Sequence, residues 1–266
     1  AAELTGIVQT VLFCPEDLAL IKSGAAERRA FLDHAICQLR PRYGEALAQY
    51  HKLLDHKTRI LRDWEKNPSL LEVLEDFNEA MARAGALLIH YRAHFVGKLA
   101  PRAAQIQRDF SGDREELTLS YQTVGTVRNP LGPTVSIYED LRAHQDSHRR
   151  AELEARSCLS GPHKDDLAAW IDGQPARQFA SQGQTRTAAL SLKLAERELF
   201  EDDTGQWPVL LLDDVLSELD ARRQDFVLDR ITGGQVFITS CETPAGEISR
   251  GKILHIHQGA LVDSPN

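Results

Sequence analysis

The sequence predicts an α/β fold that carries a second, mainly helical domain. Three observations support this. Short apolar runs at Ile7–Phe13, Val209–Leu212 and Val236–Thr239 have strand length and end in proline or polar residues. A stretch of helical period separates the last two runs, the pattern of adjacent parallel strands buried on both faces. From Glu27 to about Leu99 apolar residues recur at helical spacing with short breaks, as in a helical bundle or arm.

Composition narrows the class. The 266 residues suffice for one large domain or two small ones. With 42% hydrophobic and 26% charged residues, disorder and fibre are excluded. No apolar run reaches the roughly 18 residues of a membrane span. Ala1–Thr10 lacks the basic and apolar regions of a secretory signal. Cys14, Cys37, Cys158 and Cys241 lie far apart with no C-x-x-C pair, which suits a reduced, cytoplasmic protein. A net charge of −8 argues against whole-surface attraction to nucleic acid or anionic membrane. Local basic clusters remain at Arg28-Arg29, Arg40/Arg42 and Arg149-Arg150, whose ordinary reading is solvated helix faces.

In chain order, the first strand ends at Cys14-Pro15, because proline cannot continue a central strand. Phe31, Leu32, Ile36 and Leu39 mark a helix that stops at Pro41, and Leu47, Tyr50, Leu54 and Leu61 mark a second over Tyr43–Trp64. A third helix is expected from Ser69, with Glu72 at capping-box spacing, to about Leu99. Glu116–Tyr121 alternates as a strand. After the Asn129–Pro133 loop, Thr134 is placed to cap a helix reaching about Arg156. Ala168–Ile171 and Ala176–Ala180 read as a hairpin around Asp172-Gly173. A helix over Thr185–Glu201, a strand, a helix over Leu219–Ile231 and a last strand follow, with an edge-like alternation at Ile253–His257.

The chemistry concentrates at the end of the Val209–Leu212 run, where Asp213 and Asp214 follow at once. A buried strand that delivers acids at its C-terminal end places them at the usual ligand edge of an α/β sheet. Neighbouring strand side chains point opposite ways, so one acid faces a metal and the other aims elsewhere. Asp213 then holds Mg²⁺, directly or through water, and Asp214 orients or deprotonates the attacking water. The structural alternative is a strand running into an acidic turn. Upstream, Ser181-Gln182-Gly183-Gln184 opens a helix and offers backbone N–H groups to an anion.

This order of motifs resembles the C-terminal half of an ABC-type ATPase head. Phe13–Leu18 with Glu27–Asp33, and Ser160–Leu167, resemble two signatures of the RecF family of bacterial DNA replication and repair proteins. The resemblance implies an ABC-type head, residues 1–24 and 151–266, with an inserted helical arm, residues 25–150. It makes Ser181, Gln182, Gly183 and Gln184 the signature loop, with Gln182 where glycine is usual, and Asp213-Asp214 the Walker B pair. Ser217–Asp220 becomes the D-loop, with Asp220 at the nucleotide. Thr239 or Ser240 takes the place of the histidine that senses γ-phosphate in transporters.

The function implied is an ATP-dependent clamp, with ATP and Mg²⁺ as cofactors. It dimerises on ATP, binds double-stranded DNA at single-strand gaps, and works with mediators of the RecO/RecR type to load recombinase. Candidate DNA contacts are Arg28, Arg29, Arg149, Arg150, His163 and Lys164. His163 and Lys164 stand equally open to nucleotide or DNA, or to local pairing in a structural turn.

No G-x-x-x-x-G-K-[ST] occurs; Gly246–Lys252 matches seven positions, but Ile253 replaces the hydroxyl residue. The expectation is a chain lacking the N-terminal Walker A segment and inactive alone. The alternative is a non-catalytic DNA- or protein-binding fragment. Glu16 or Asp17 occupies the Q-loop junction, where an N-cap turn is the competing reading. His90/His94 and His144/His148 read as ordinary histidines, since no third ligand is suggested.

Overall fold

The computed structural model describes residues 8–216, 219–241 and 251–262. Strand β1 (Thr10–Phe13) leads through a 3₁₀ turn, Pro15–Leu18, into helices α1 (Ala19–Lys22), α2 (Ala25–Leu39), α3 (Pro41–Asp63) and α4 (Leu74–Ser111). Strand β2 (Leu117–Gln122), helix α5 (Thr134–Ala155) and the hairpin β3 (Asp166–Ile171)–β4 (Gln174–Pro175) follow. Then come α6 (Ala176–Phe179), α7 (Gln182–Thr204), β5 (Val209–Asp213), α8 (Ala221–Arg230), β6 (Val236–Thr239) and the hairpin β7 (His255–His257)–β8 (Ala260–Val262).

Strands β1, β5 and β6 form a parallel sheet in that order. Its register sets Val11 opposite Leu210, Leu212 opposite Ile238, and Asp213 opposite Thr239. Val11, Phe13, Leu210 and Leu212 point into a core shared with Ala188, Leu192 and Ala195 of α7. The expected burial on both faces is not what the structure shows. Leu12 is 44% exposed and Phe237 51%, because no described helix covers that face. The free edge of β1 is closed by Gln38 of α2, whose amide exchanges hydrogen bonds of 2.8 and 3.1 Å with the Thr10 backbone.

Several local expectations need correction. Ser69 caps no helix; it lies in a 3₁₀ turn, Pro68–Leu71, where its hydroxyl donates to Asn67, and α4 starts at Leu74. Helix α4 then runs past Leu99 and through Pro101 to Gly112, which adopts the left-handed conformation at φ 63°. A mid-helix proline costs about 3 kcal/mol. Leu99, Ala103, Ile106 and Phe110 are all buried on that segment, and each large apolar side chain contributes about 1.5–3 kcal/mol, so burial outweighs the proline. Thr134 is the first helical residue of α5, with Pro133 at the cap position. The hairpin turns at Asp172 (φ 51°) and Gly173 (φ 74°) as expected, but its second strand is only Gln174–Pro175, and Ala176–Phe179 is helical. Helix α7 extends beyond both expected ends.

The stretches Glu27–Asp33 and Ser160–Leu167 meet in space. Arg28 forms a two-pronged pair with Asp166, at 2.7 and 2.9 Å, and Arg29 donates to the Asp165 carbonyl at 2.8 Å. Arg92 of α4 bridges them, reaching both Asp33 oxygens at 2.9 Å and the Pro162 carbonyl at 2.8 Å. Asp165 accepts from the Tyr121 hydroxyl of β2, and burial pushes its carboxyl up to about 6. Gly161 sits at φ 126°, where a Cβ would lie 2.2 Å from the Tyr50 hydroxyl, so only glycine fits. Strand β2 pairs with β3 along its whole length, so this sheet draws strands from both sides of residue 150.

Candidate functional site

Strand β5 emerges from the core at Asp213, which is exposed at the C-terminal edge of the parallel sheet. The strand ends there. Asp214 turns into the left-handed region at φ 51°, so the strand alternation expected to aim it away from Asp213 does not set its direction. Thr239, at the matching edge of β6, holds both acids. Its hydroxyl donates to Asp213 Oδ1 at 2.5 Å, and the Asp214 N–H lands on the same hydroxyl at 3.1 Å and on the Thr239 carbonyl at 3.2 Å. Asp214 lines a small cleft with Phe13, Cys14, Pro15, Arg186 and Leu219. The cleft brings together β5, the turn after β1 and the first turns of α7.

Helix α7 opens with Ser181 as its cap. The Ser181 hydroxyl accepts the Gln184 N–H at 3.2 Å, and the Gln184 side chain accepts the Ser181 N–H at 3.0 Å. This reciprocal cap occupies two donors. The N–H groups of Gln182 and Gly183 have no partner within the helix, and the Ser181 hydroxyl keeps its proton. Ser181 and Gln182 are exposed, and no atom lies within 4 Å of where a Gly183 Cβ would sit. An anion can therefore approach the end of α7 closely.

Asp220 caps α8: Oδ1 accepts the Arg223 N–H at 3.0 Å and Oδ2 pairs with the Arg223 guanidinium at 2.9 Å. Ser217 and Glu218 of the D-loop stretch, Ile7 of the first strand, and Gly246–Arg250 of the near-match to a P-loop lie outside the described residues. At the Q-loop junction Asp17 accepts the Cys14 N–H at 2.9 Å, closing the turn, while Glu16 is exposed. Burial, with Glu16 and Asp17 alongside, pushes the Cys14 thiol up to about 11, so it stays protonated. Lys193 ties this turn to α7, lying 3.8 Å from Asp17, 3.2 Å from Glu196 and over the Phe31 ring. Lys193 did not stand out in the sequence. Its only signal was a cation three turns into the helix that opens at Ser181.

The basic positions divide. Arg28 is 6% exposed and committed to Asp166 and to the Ser23 carbonyl, so it is not presented to a phosphate. Arg29 spends one nitrogen on the Asp165 carbonyl. His163 does not face a ligand. Its Nε2 donates to the Cys158 carbonyl at 3.1 Å, so Nδ1 accepts the Tyr50 hydroxyl at 2.7 Å, and burial pushes the ring down to about 4. The neutral ring braces α3 against the Pro162–Lys164 turn. Lys164, Arg149 and Arg150 are exposed, the last paired with Glu154 one turn on. His144 stacks on His148 at 3.9 Å, and its Nδ1 lies 2.5 Å from the Ser160 hydroxyl. Among the described residues, no three His, Cys, Asp or Glu side chains converge as a metal cage.

No family model matches the chain. A protein of Clostridioides difficile named DNA replication and repair protein RecF is 36% identical over 99% of this chain and 71% of its own length. Its namesake in Desulforamulus reducens is 42% identical over 94% of this chain and 68% of its own length. A solved structure of the recombination mediator protein RecF with ATPrS, from the RecFOR pathway, superposes with a TM-score of 0.87 at 33% identity, covering 98% of this chain and 69% of that one. The corresponding RecF–ATP structure gives 0.84 at 36% identity, with coverages of 92% and 65%. The α/β fold with a large helical region, expected from the motifs, is the fold found. This chain therefore belongs to the RecF family of DNA replication and repair proteins.

Proposed function

We propose that this chain forms part of an ATP-driven DNA clamp of recombinational repair. The observation that carries the proposal is the pair Asp213–Asp214, held by Thr239 at the C-terminal edge of a parallel sheet, with Asp214 lining a cleft together with Arg186 of α7. Asp213 fits a magnesium site. Thr239 takes one carboxylate oxygen and leaves the other for a hard cation, and magnesium characteristically uses one or two carboxylates with waters and phosphates. When bound, magnesium supplies charge neutralisation to the phosphates of ATP. Asp214 orients or deprotonates the attacking water. Ser181 and the N–H groups of Gln182 and Gly183 receive a γ-phosphate presented by a second protomer, which makes dimerisation ATP-dependent. Asp220 shapes the interface by capping α8.

The clamp binds duplex DNA at single-strand gaps, through Arg149, Arg150, Lys164 and the remaining donors of Arg29. It acts in the cytoplasm with mediators of the RecO/RecR type to load recombinase, and hydrolysis resets it. No described helix is long and apolar enough to cross a membrane. The head comprises residues 1–24 and 151–266, and the arm residues 25–150.

A second reading rests on two observations. The 266 residues hold no phosphate-binding P-loop, and the outer face of the parallel sheet is bare at Leu12 and Phe237. The chain is then a non-catalytic DNA- or protein-binding fragment that has lost its nucleotide site. Ser181→Arg in the complete protein tests the clamp. It should leave ATP binding by the monomer nearly intact and abolish ATP-dependent dimers and hydrolysis. Asp213→Asn should weaken Mg·ATP binding within one protomer. Sedimentation with and without ATP, beside a nucleotide titration, separates them. Loss of monomer binding with dimerisation retained in Ser181→Arg would reverse the assignment.

A further inference from the structure

We propose that Thr239 is a positioning residue for the two acids and not a sensor of γ-phosphate. The inference rests on the ATPase reading above and adds a role within it. A threonine hydroxyl has one proton. Here the hydroxyl donates that proton to Asp213 Oδ1, oxygen to oxygen 2.5 Å, and the oxygen accepts the Asp214 N–H at 3.1 Å. To donate to a phosphate, Thr239 would have to release Asp213. Its substitution for the transporter histidine, implied by the family resemblance, conflicts with this pairing.

The geometry explains what the hydroxyl does. Parallel pairing of β5 with β6 ends at Asp213 opposite Thr239. One residue later Asp214 takes the left-handed conformation at φ 51°, which aspartate adopts more readily than most non-glycine residues. Both acceptors of the Asp214 N–H, the hydroxyl and the carbonyl, belong to Thr239. Thr239 therefore holds the Asp213 carboxylate through its side chain and the Asp214 backbone through two atoms. The acid that binds the cation and the acid that handles water are fixed by one residue on the neighbouring strand. Valine keeps the shape and β-branching of threonine and removes the hydroxyl; serine keeps the hydroxyl.

Two measurements decide the proposal. In the complete ATP-hydrolysing protein, Thr239→Val should lower kcat about 10- to 100-fold, the range for a lost orienting contact, with the KM for ATP changed less than about threefold. Thr239→Ser should stay within about threefold of the parent. In the present chain, amide exchange at Asp214 should quicken about tenfold in Thr239→Val, with the melting transition retained, and stay unchanged in Thr239→Ser. Unchanged kcat and exchange in Thr239→Val would overturn the proposal. So would a selective loss of affinity for ATP over ADP, the signature of a direct sensor. If the parent protein hydrolyses no ATP, the ATPase reading fails, and the exchange experiment still decides whether Thr239 holds Asp214.

Discussion

Asp165→Asn should change how stability depends on pH, and the structure sets the sign. Burial raises the Asp165 carboxyl from 3.8 to about 6. The folded state therefore binds this proton more tightly than the unfolded chain. Its contribution is fully present below pH 3.8 and is lost as pH rises through about 6. At about 1.4 kcal/mol per tenfold change in proton affinity, the loss is about 3 kcal/mol. His163, two residues earlier, has the opposite sign. Burial lowers its ring from 6.5 to about 4, so its contribution is present above pH 6.5 and lost as pH falls through about 4. That term is also about 3 kcal/mol, and His144, lowered by burial and by His148, adds to it. The two residues of one turn therefore oppose each other across the same window and largely cancel in the parent protein.

Asparagine keeps an oxygen for the Tyr121 hydroxyl and cannot ionise. Urea unfolding of parent and variant at half-unit steps from pH 4 to 7 measures the difference directly. Relative to the parent, Asp165→Asn should gain about 2 kcal/mol on going from pH 4 to 6.5, and its own stability should fall visibly on acidification. His163→Gln should show the reverse difference. A difference between Asp165→Asn and the parent that stays constant across the window would refute the reasoning.

Calorimetry of this chain with Mg·ATP should show no saturable heat in the micromolar range, since no P-loop lies within its 266 residues; tight stoichiometric binding would assign the cradle to Gly246–Lys252. DNA affinity should fall steeply with salt, and Arg149→Glu with Arg150→Glu should weaken it evenly across sequences while shallowing the salt slope; salt-independent binding would count against the electrostatic reading. Arg28→Ala should cost about 3 kcal/mol of stability in denaturant titration, because it strands Asp166, partly buried, without its two-pronged partner.

Much of this protein was legible in its sequence. The runs Val209–Leu212 and Val236–Thr239 are strands, the acids sit at the sheet edge, Ser181 opens a helix, and Asp172-Gly173 turns a hairpin. Each depends on a few neighbouring residues, on periods of two or 3.6 and on local turn chemistry, so local pattern suffices. Tertiary structure decided the rest. Helix α4 passes Pro101 because a core assembled from distant segments rewards the residues beyond it. Arg28 looked like a surface cation until Asp166, 138 positions away, took both ends of its guanidinium. His163 is held by the Tyr50 hydroxyl, 113 positions away, and burial lowers its ring to about 4. Thr239 became a support for Asp213 and Asp214 only because two parallel strands ended at the same register. A side chain's type tells what it can bind, but the partner it finds is set by packing between residues the sequence keeps far apart.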